Sequence, residues 1–196
     1  MTANRLAWFV LFVVWVNNAA AERCIVRVPD RDGAWSVGQG VLIAKADSRG
    51  IVLSARHVIR DAGGSARCRF ASTGQEHVAK DLAILPNGDL AGFLLDGLTN
   101  EKPTRFASRD PSGMIGTFRG LAPRLQAGWY STDGLPQLIW RRPSPQGDSG
   151  GPVYNEAGEV VSILWGSTGN ESHAESWITA HHMVHECSQR FGIPAT

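Results

Sequence analysis

The chain has 196 residues, with 19 Lys+Arg against 18 Asp+Glu, 43% hydrophobic residues and 22 Gly. That composition suits one or two compact globular units and excludes a fibrous, disordered or large multidomain protein. A net charge of +1 without a long Lys/Arg run leaves no electrostatic footprint for nucleic acid, so a partner has to be argued from a site.

Residues 1–21 read as a secretory signal peptide: Arg5, an apolar run from Leu6 to Val16, and a small-residue ending at Ala19 and Ala21, with cleavage expected before Glu22. As a helix the apolar run would rise only about 16 Å, roughly half of a hydrocarbon core. The mature chain is thus expected to be secreted or periplasmic and to leave the membrane once the leader is removed. Losing Arg5 balances its acidic and basic side chains. Export permits disulfides, and Cys24, Cys68 and Cys187 offer three possible single bridges, of which Cys24 to Cys187 would tie the ends of the mature chain together. The alternative is three small buried hydrophobes.

Short apolar runs broken by Gly, Pro, Asn and Asp every eight to twelve residues then predict an all-β protein. The expected strands are Cys24–Val28, Gly38–Ala44, Gly50–Ala55, Ala66–Ala71, His77–Leu85, Leu90–Leu95, Gly113–Leu121, Gln137–Arg141, Pro152–Asn155 and Glu159–Trp165. One helix is expected, about Ile178–Arg190, stopped by Gly192 and Pro194. The least apolar stretch, Thr99–Pro111, reads as a linker dividing the mature chain into units 22–105 and 106–196. A crevice between two such units is where a site is expected.

Gly147-Asp148-Ser149-Gly150-Gly151-Pro152 is the most informative hexapeptide. Glycines around one serine allow a tight, partly left-handed turn that exposes the hydroxyl and aims main-chain N–H groups at one point, as an oxyanion hole requires. A serine hydroxyl needs a base within hydrogen-bond reach, and His57 stands just after the apolar run Ile51–Ala55, with only Arg56 between. For an acid to orient that base, Asp81-Leu82-Ala83 and Asp89-Leu90-Ala91 offer the same local text. Only a few residues separate Gly74 from Asp81, whereas Asp89 follows a full strand and the Pro86-Asn87-Gly88 turn, which favours Asp89 and leaves Asp81 as a strand residue facing solvent.

The segments Gly38–Ala44 (GQGVLIA), Val52–Val58 (VLSARHV), Asp89–Gly97 (DLAGFLLDG) and Gly147–Asn155 (GDSGGPVYN) resemble the chymotrypsin/trypsin-like serine proteases, especially their short bacterial members. The resemblance runs through nearly all of the mature chain in the family's order of histidine, aspartate, serine. It implies two six-stranded antiparallel β-barrels packed face to face, a C-terminal helix behind them, and a serine endopeptidase working through an acyl-enzyme on a protein or peptide substrate. His57, Asp89 and Ser149 would be the triad, with the N–H groups of Gly147 and Ser149 as oxyanion donors. No metal or organic cofactor is needed, and a monomer is expected.

The resemblance also places the substrate pocket. Its base would lie in 142–146, with Pro143 and Ser144, and its wall in 163–167, with Leu164, Trp165 and Gly166, a lining suited to uncharged, medium-sized side chains. Arg141 and Arg142 could instead meet an acidic group. So short a chain has little length for recognition loops, so broad cleavage is expected. Several family features are missing: no cysteine pair brackets His57, where Gln39 and Val58 stand instead; Arg56 replaces a small residue; and Glu22-Arg23-Cys24 does not resemble the apolar N-terminus that pairs with the aspartate at the position of Asp148. His181, His182 and His185 read as a solvated helix face, not as metal ligands. A protease-fold protein that binds without cleaving is the competing reading. An α/β-hydrolase elbow would need its acid and histidine downstream of Ser149, where too little chain follows.

Overall fold

The computed structural model describes residues 22–59, 64–109, 115–119, 125–130, 138–140 and 143–195, the segments between 110 and 142 by their backbone. The predicted signal peptide, and Arg141 and Arg142, lie outside the described residues.

The first half is a sheet of seven strands: β1 (Arg23–Pro29), β2 (Trp35–Ala46), β3 (Arg49–Ala55), β4 (Arg67–Phe70), β5 (Glu76–Val78), β6 (Asp81–Ile84) and β7 (Leu90–Leu95), in the order β5-β4-β1-β2-β3-β7-β6. A 3-10 turn, Arg56–Ile59, follows β3. The period of two is plain in β1, where Cys24, Val26 and Val28 are buried while Ile25 and Arg27 are exposed. In β2 and β3 both faces are covered. Leu42 and Val52 point into the core enclosed by the sheet, and Val41, Ile43, Ile51 and Leu53 point to a second core on its other side.

The sequence suggests one strand over 77–85, and here the chain bends. Only Ala79 and Lys80 separate β5 from β6, and the hydrogen bonding changes partner between them: the Ala79 N–H donates to Ala66 O (2.8 Å) and the Lys80 N–H to Leu94 O (2.9 Å). The two edge strands are therefore halves of one bent segment. It joins the sheet's edges covalently and, counted once, makes the six-stranded curl expected.

The second half closes by hydrogen bonds. Strands β8 (Ile115–Arg119), β9 (Leu125–Tyr130), β10 (Leu138–Trp140), β11 (Pro152–Tyr154), β12 (Val160–Thr168) and β13 (Glu171–Ala174) form a barrel in the order β10-β13-β12-β11-β8-β9. Two of these were not legible in the sequence. In β13, Ser172 and His173 are polar yet buried, and β9 is interrupted by Gly128, so neither carries an apolar alternation. The chain passes from one half to the other at Thr104 and Arg105: the Thr104 N–H donates to Leu42 O in β2, whereas Arg105 O accepts from the Val160 N–H in β12.

Helix α1 (Trp177–Phe191) is capped by Ser176, whose Oγ accepts the Thr179 N–H (2.9 Å), and ends at Gly192 with φ 65°. Its buried residues Ala180, Met183, Val184, Cys187 and Phe191 recur at helical spacing and pack on β3 and β7 of the first half as well as on β12. Gly92 in β7 permits that approach, because a Cβ there would overlap the Cys187 sulfur.

The expected disulfide is not formed. All three cysteines are free and buried. Cys24 and Cys68 share the core of the first half, whereas Cys187 lies in the other core, so nothing ties the chain ends through Cys24 and Cys187. Burial pushes the Cys24 thiol well above its ordinary range, with a hydrogen bond to Cys68 adding to it, and pushes Cys187 up to about 12.

Candidate active site

His57 and Asp89, the expected base and acid, are brought together by sheet register. Strands β3 and β7 pair antiparallel with Ala55 opposite Leu90, so the next rung places Arg56 opposite Asp89. The Arg56 N–H does donate to Asp89 O (2.9 Å). One residue on, the Asp89 carboxylate grips His57 twice: Oδ1 accepts the main-chain N–H (2.8 Å) and Oδ2 pairs with Nδ1. An ionised carboxylate only accepts, so the proton sits on Nδ1 and Nε2 keeps its lone pair. Asp81 lies at the other end of β7, opposite Leu94, and binds Arg190 at 2.9 Å on the surface. That guanidinium holds the Asp81 carboxyl below its ordinary value.

Ser149 comes from the second half, on two consecutive turns. The Asp148 N–H donates to Pro145 O (3.2 Å) across Gln146 and Gly147, and the Gly151 N–H donates to Asp148 O (3.0 Å) across Ser149 and Gly150. Gly147 has φ 92° and Gly150 φ 86°, the left-handed third position that a type II turn reserves for glycine. Gly150 is doubly constrained, since a Cβ would overlap Gln39 O and Ser54 Oγ. Among the described residues neither the Gly147 nor the Ser149 N–H is taken by a partner.

Gln39 is the residue that sequence reading undervalued. Its N–H donates to Ser149 O (2.7 Å), its carbonyl accepts from Ser54 Oγ (2.6 Å), and its Nε2 donates to Asp148 Oδ1 (3.0 Å). With Gln39 and Asp148 only 1% and 2% exposed, this amide is a buried partner for the aspartate beside the serine. The polar residue inside the apolar run GQGVLIA was the available signal.

These groups meet in one cleft of about 990 Å³, lined by Arg56, His57, Asp89, Ser149, Trp165 and Glu175, with Gly166 and Ser167 on one wall and Ile59 and Ile84 on another. The His57 and Asp89 side chains are 34% and 28% exposed, so the pair is reachable from it. The Ser149 hydroxyl donates to the Trp165 carbonyl (3.2 Å), not to His57. Of the expected pocket residues, Trp165 and Gly166 line the cleft. Ser144 adjoins its rim through hydrogen bonds with Ser167, including Ser144 Oγ to Ser167 Oγ at 3.0 Å. Leu164 does not line it: fully buried in the second barrel, it serves through its backbone, taking the Gly150 N–H and donating to Gly151 O. Pro143 is exposed and outside the lining. Arg56 is exposed at the cleft edge. On the helix, His181 packs against Trp177 at 4.8 Å between ring centres, and His185 bonds Gln189.

No protein-family model matches the chain, and no curated protein matches it in sequence. Among solved structures, the HtrA-type protease AlgW with tripeptide aligns at TM-score 0.65 and 19% identity, over 87% of this chain and 61% of that one. The serine endoprotease from Yersinia pestis aligns at TM-score 0.68 and 25% identity, over 87% and 64%. The chain spans less than two thirds of their length. It has the trypsin-like fold of the HtrA-type serine proteases.

Proposed function

We infer that the chain is a serine endopeptidase, exported through residues 1–21 and working as a monomer in units 22–105 and 106–196. The observation that carries this reading is the double grip of Asp89 on His57 across one cleft from Ser149. The AlgW structure with its tripeptide supports a peptide as the substrate class.

In the reaction, the Ser149 hydroxyl turns from Trp165 O to His57 Nε2 and attacks the scissile carbonyl. The new C–O bond forms as the proton passes to Nε2. Asp89 stabilises the resulting imidazolium, and the Gly147 and Ser149 N–H groups take the oxyanion, each donor contributing on the order of 3 kcal/mol. Collapse breaks the C–N bond while Nε2 returns the proton to the leaving amine. Water then repeats the sequence on the acyl-enzyme. Trp165 and Gly166, with Ser144 behind Ser167, form the pocket for an uncharged, medium-sized side chain; Leu164 supports it through the backbone it holds.

One observation favours a second reading, a protease-fold protein that binds without cleaving: the Ser149 hydroxyl is bonded to Trp165 O. A fluorophosphonate probe separates the two. The chain beginning at Glu22 is expected to be labelled and Ser149→Ala is not; absence of label on the unaltered chain, alongside a labelled control protease, leaves the binding reading.

A further inference from the structure

A second carboxylate stands behind the acid of the site. Glu175 follows β13 and precedes the helix cap, and its backbone is fixed on β12: its N–H donates to Ile163 O (3.0 Å), and its carbonyl accepts from Ser162 Oγ. From that anchor in the second half its side chain crosses to the first, where Oε1 accepts the main-chain N–H of Asp89 at 2.7 Å. Asp89 is thereby held at three points: the N–H by Glu175, the carbonyl by the Arg56 N–H, and the carboxylate by His57.

We propose that Glu175 is a positioning residue that locks Asp89 against His57. The proposal rests on the hydrolytic reading above. A backbone N–H in a cleft keeps its orientation only while it has an acceptor, and among the described residues no other group supplies one to Asp89. Burial pushes the Glu175 carboxyl up, the Asp89 N–H draws it down, and the Asp89 charge adds to the rise, leaving it above its ordinary value. Glu175 thus loses its charge more easily than an exposed glutamate as the medium acidifies. Among the described residues, the charged or titratable side chains beside this trio are Arg56, from the turn after β3, and His173, in β13 two residues before Glu175, which stacks on Trp165 at 5.1 Å. Helix α1 brings no acidic side chain in its first turn.

The test is a pair of variants in the chain from Glu22. Glu175→Gln keeps an acceptor for the Asp89 N–H and removes the charge. Glu175→Ala removes the acceptor as well and should lower kcat about tenfold further with KM changed less than about twofold. If the alanine variant does not fold, Glu175→Met, of similar length and without an acceptor oxygen, replaces it. Equal kcat in the two variants, or a loss that falls on KM instead, overturns the role of Glu175. Failure of the hydrolytic reading shows separately, as a probe that does not label Ser149 in the unaltered chain.

Discussion

The two halves deliver their parts of the site by different means. In the first, His57 and Asp89 extend the β3–β7 ladder by one rung, so the register that buries Leu53 and Phe93 also sets the acid against the base. In the second, Ser149 is held by two glycine-dependent turns whose carbonyls and amides bond outward, to Gln39 in one direction and Leu164 in the other. A ladder averages its geometry over many rungs and tolerates surface change, whereas a turn depends on single atoms. Ser149 itself aside, substitutions should therefore separate into chemical losses at His57 and Asp89 and structural losses in the turns that hold the serine.

The largest effect on turnover belongs to Ser149→Ala, about 10⁶-fold in kcat, read with a chromogenic peptide and accompanied by an unchanged melting temperature. Asp89→Asn should cost about 10⁴-fold by presenting the wrong imidazole tautomer. Asp81→Asn, at the far end of β7, should leave turnover alone, and the reverse pattern would move the acid to Asp81. Around the serine, Gly150→Ala puts a Cβ against Gln39 O and imposes positive φ on an alanine, so a stability loss of about 3 kcal/mol is expected from urea unfolding. Gln39→Ala removes a buried donor from Asp148 and should cost about 1–3 kcal/mol, with probe labelling of Ser149 slowed because its carbonyl anchor loosens.

Smaller still is a pH effect. A carboxyl whose folded value is raised binds a proton more readily in the native state, so it opposes folding above that value and its penalty fades as the pH falls. Glu175→Gln should therefore melt at a higher temperature than the unaltered chain near pH 7, with the difference vanishing below the ordinary carboxylate value of 4.5. The smallest signal is a silence: with Cys187 pushed up to about 12 and Cys24 also raised, an alkylating reagent should modify neither thiol in the folded chain and both after denaturation.

The sequence legibility follows the same division. Strands with buried-exposed alternation, such as β1, and the helix with its Ser176 and Gly192 caps were readable because local chemistry and tertiary packing agree there. The short strand β13 was not, since its buried Ser172 and His173 are accommodated by barrel neighbours distant in sequence. The break between β5 and β6 was hidden for a related reason: only the separation of Ala66 from Leu94 across the curl shows that one apolar run serves two edges. His57, Asp89 and Ser149 stand in conspicuous local text, whereas Gln39 and Glu175 look ordinary until the folded chain brings them to Asp148 and Asp89.

Helix α1 follows both halves in chain order, yet its Met183, Val184 and Cys187 complete a core to which β2, β3 and β7 contribute from the first half. During synthesis that core has no cover until the final turn of α1 leaves the ribosome, so the first half should remain protease-sensitive on nascent chains halted before Trp177.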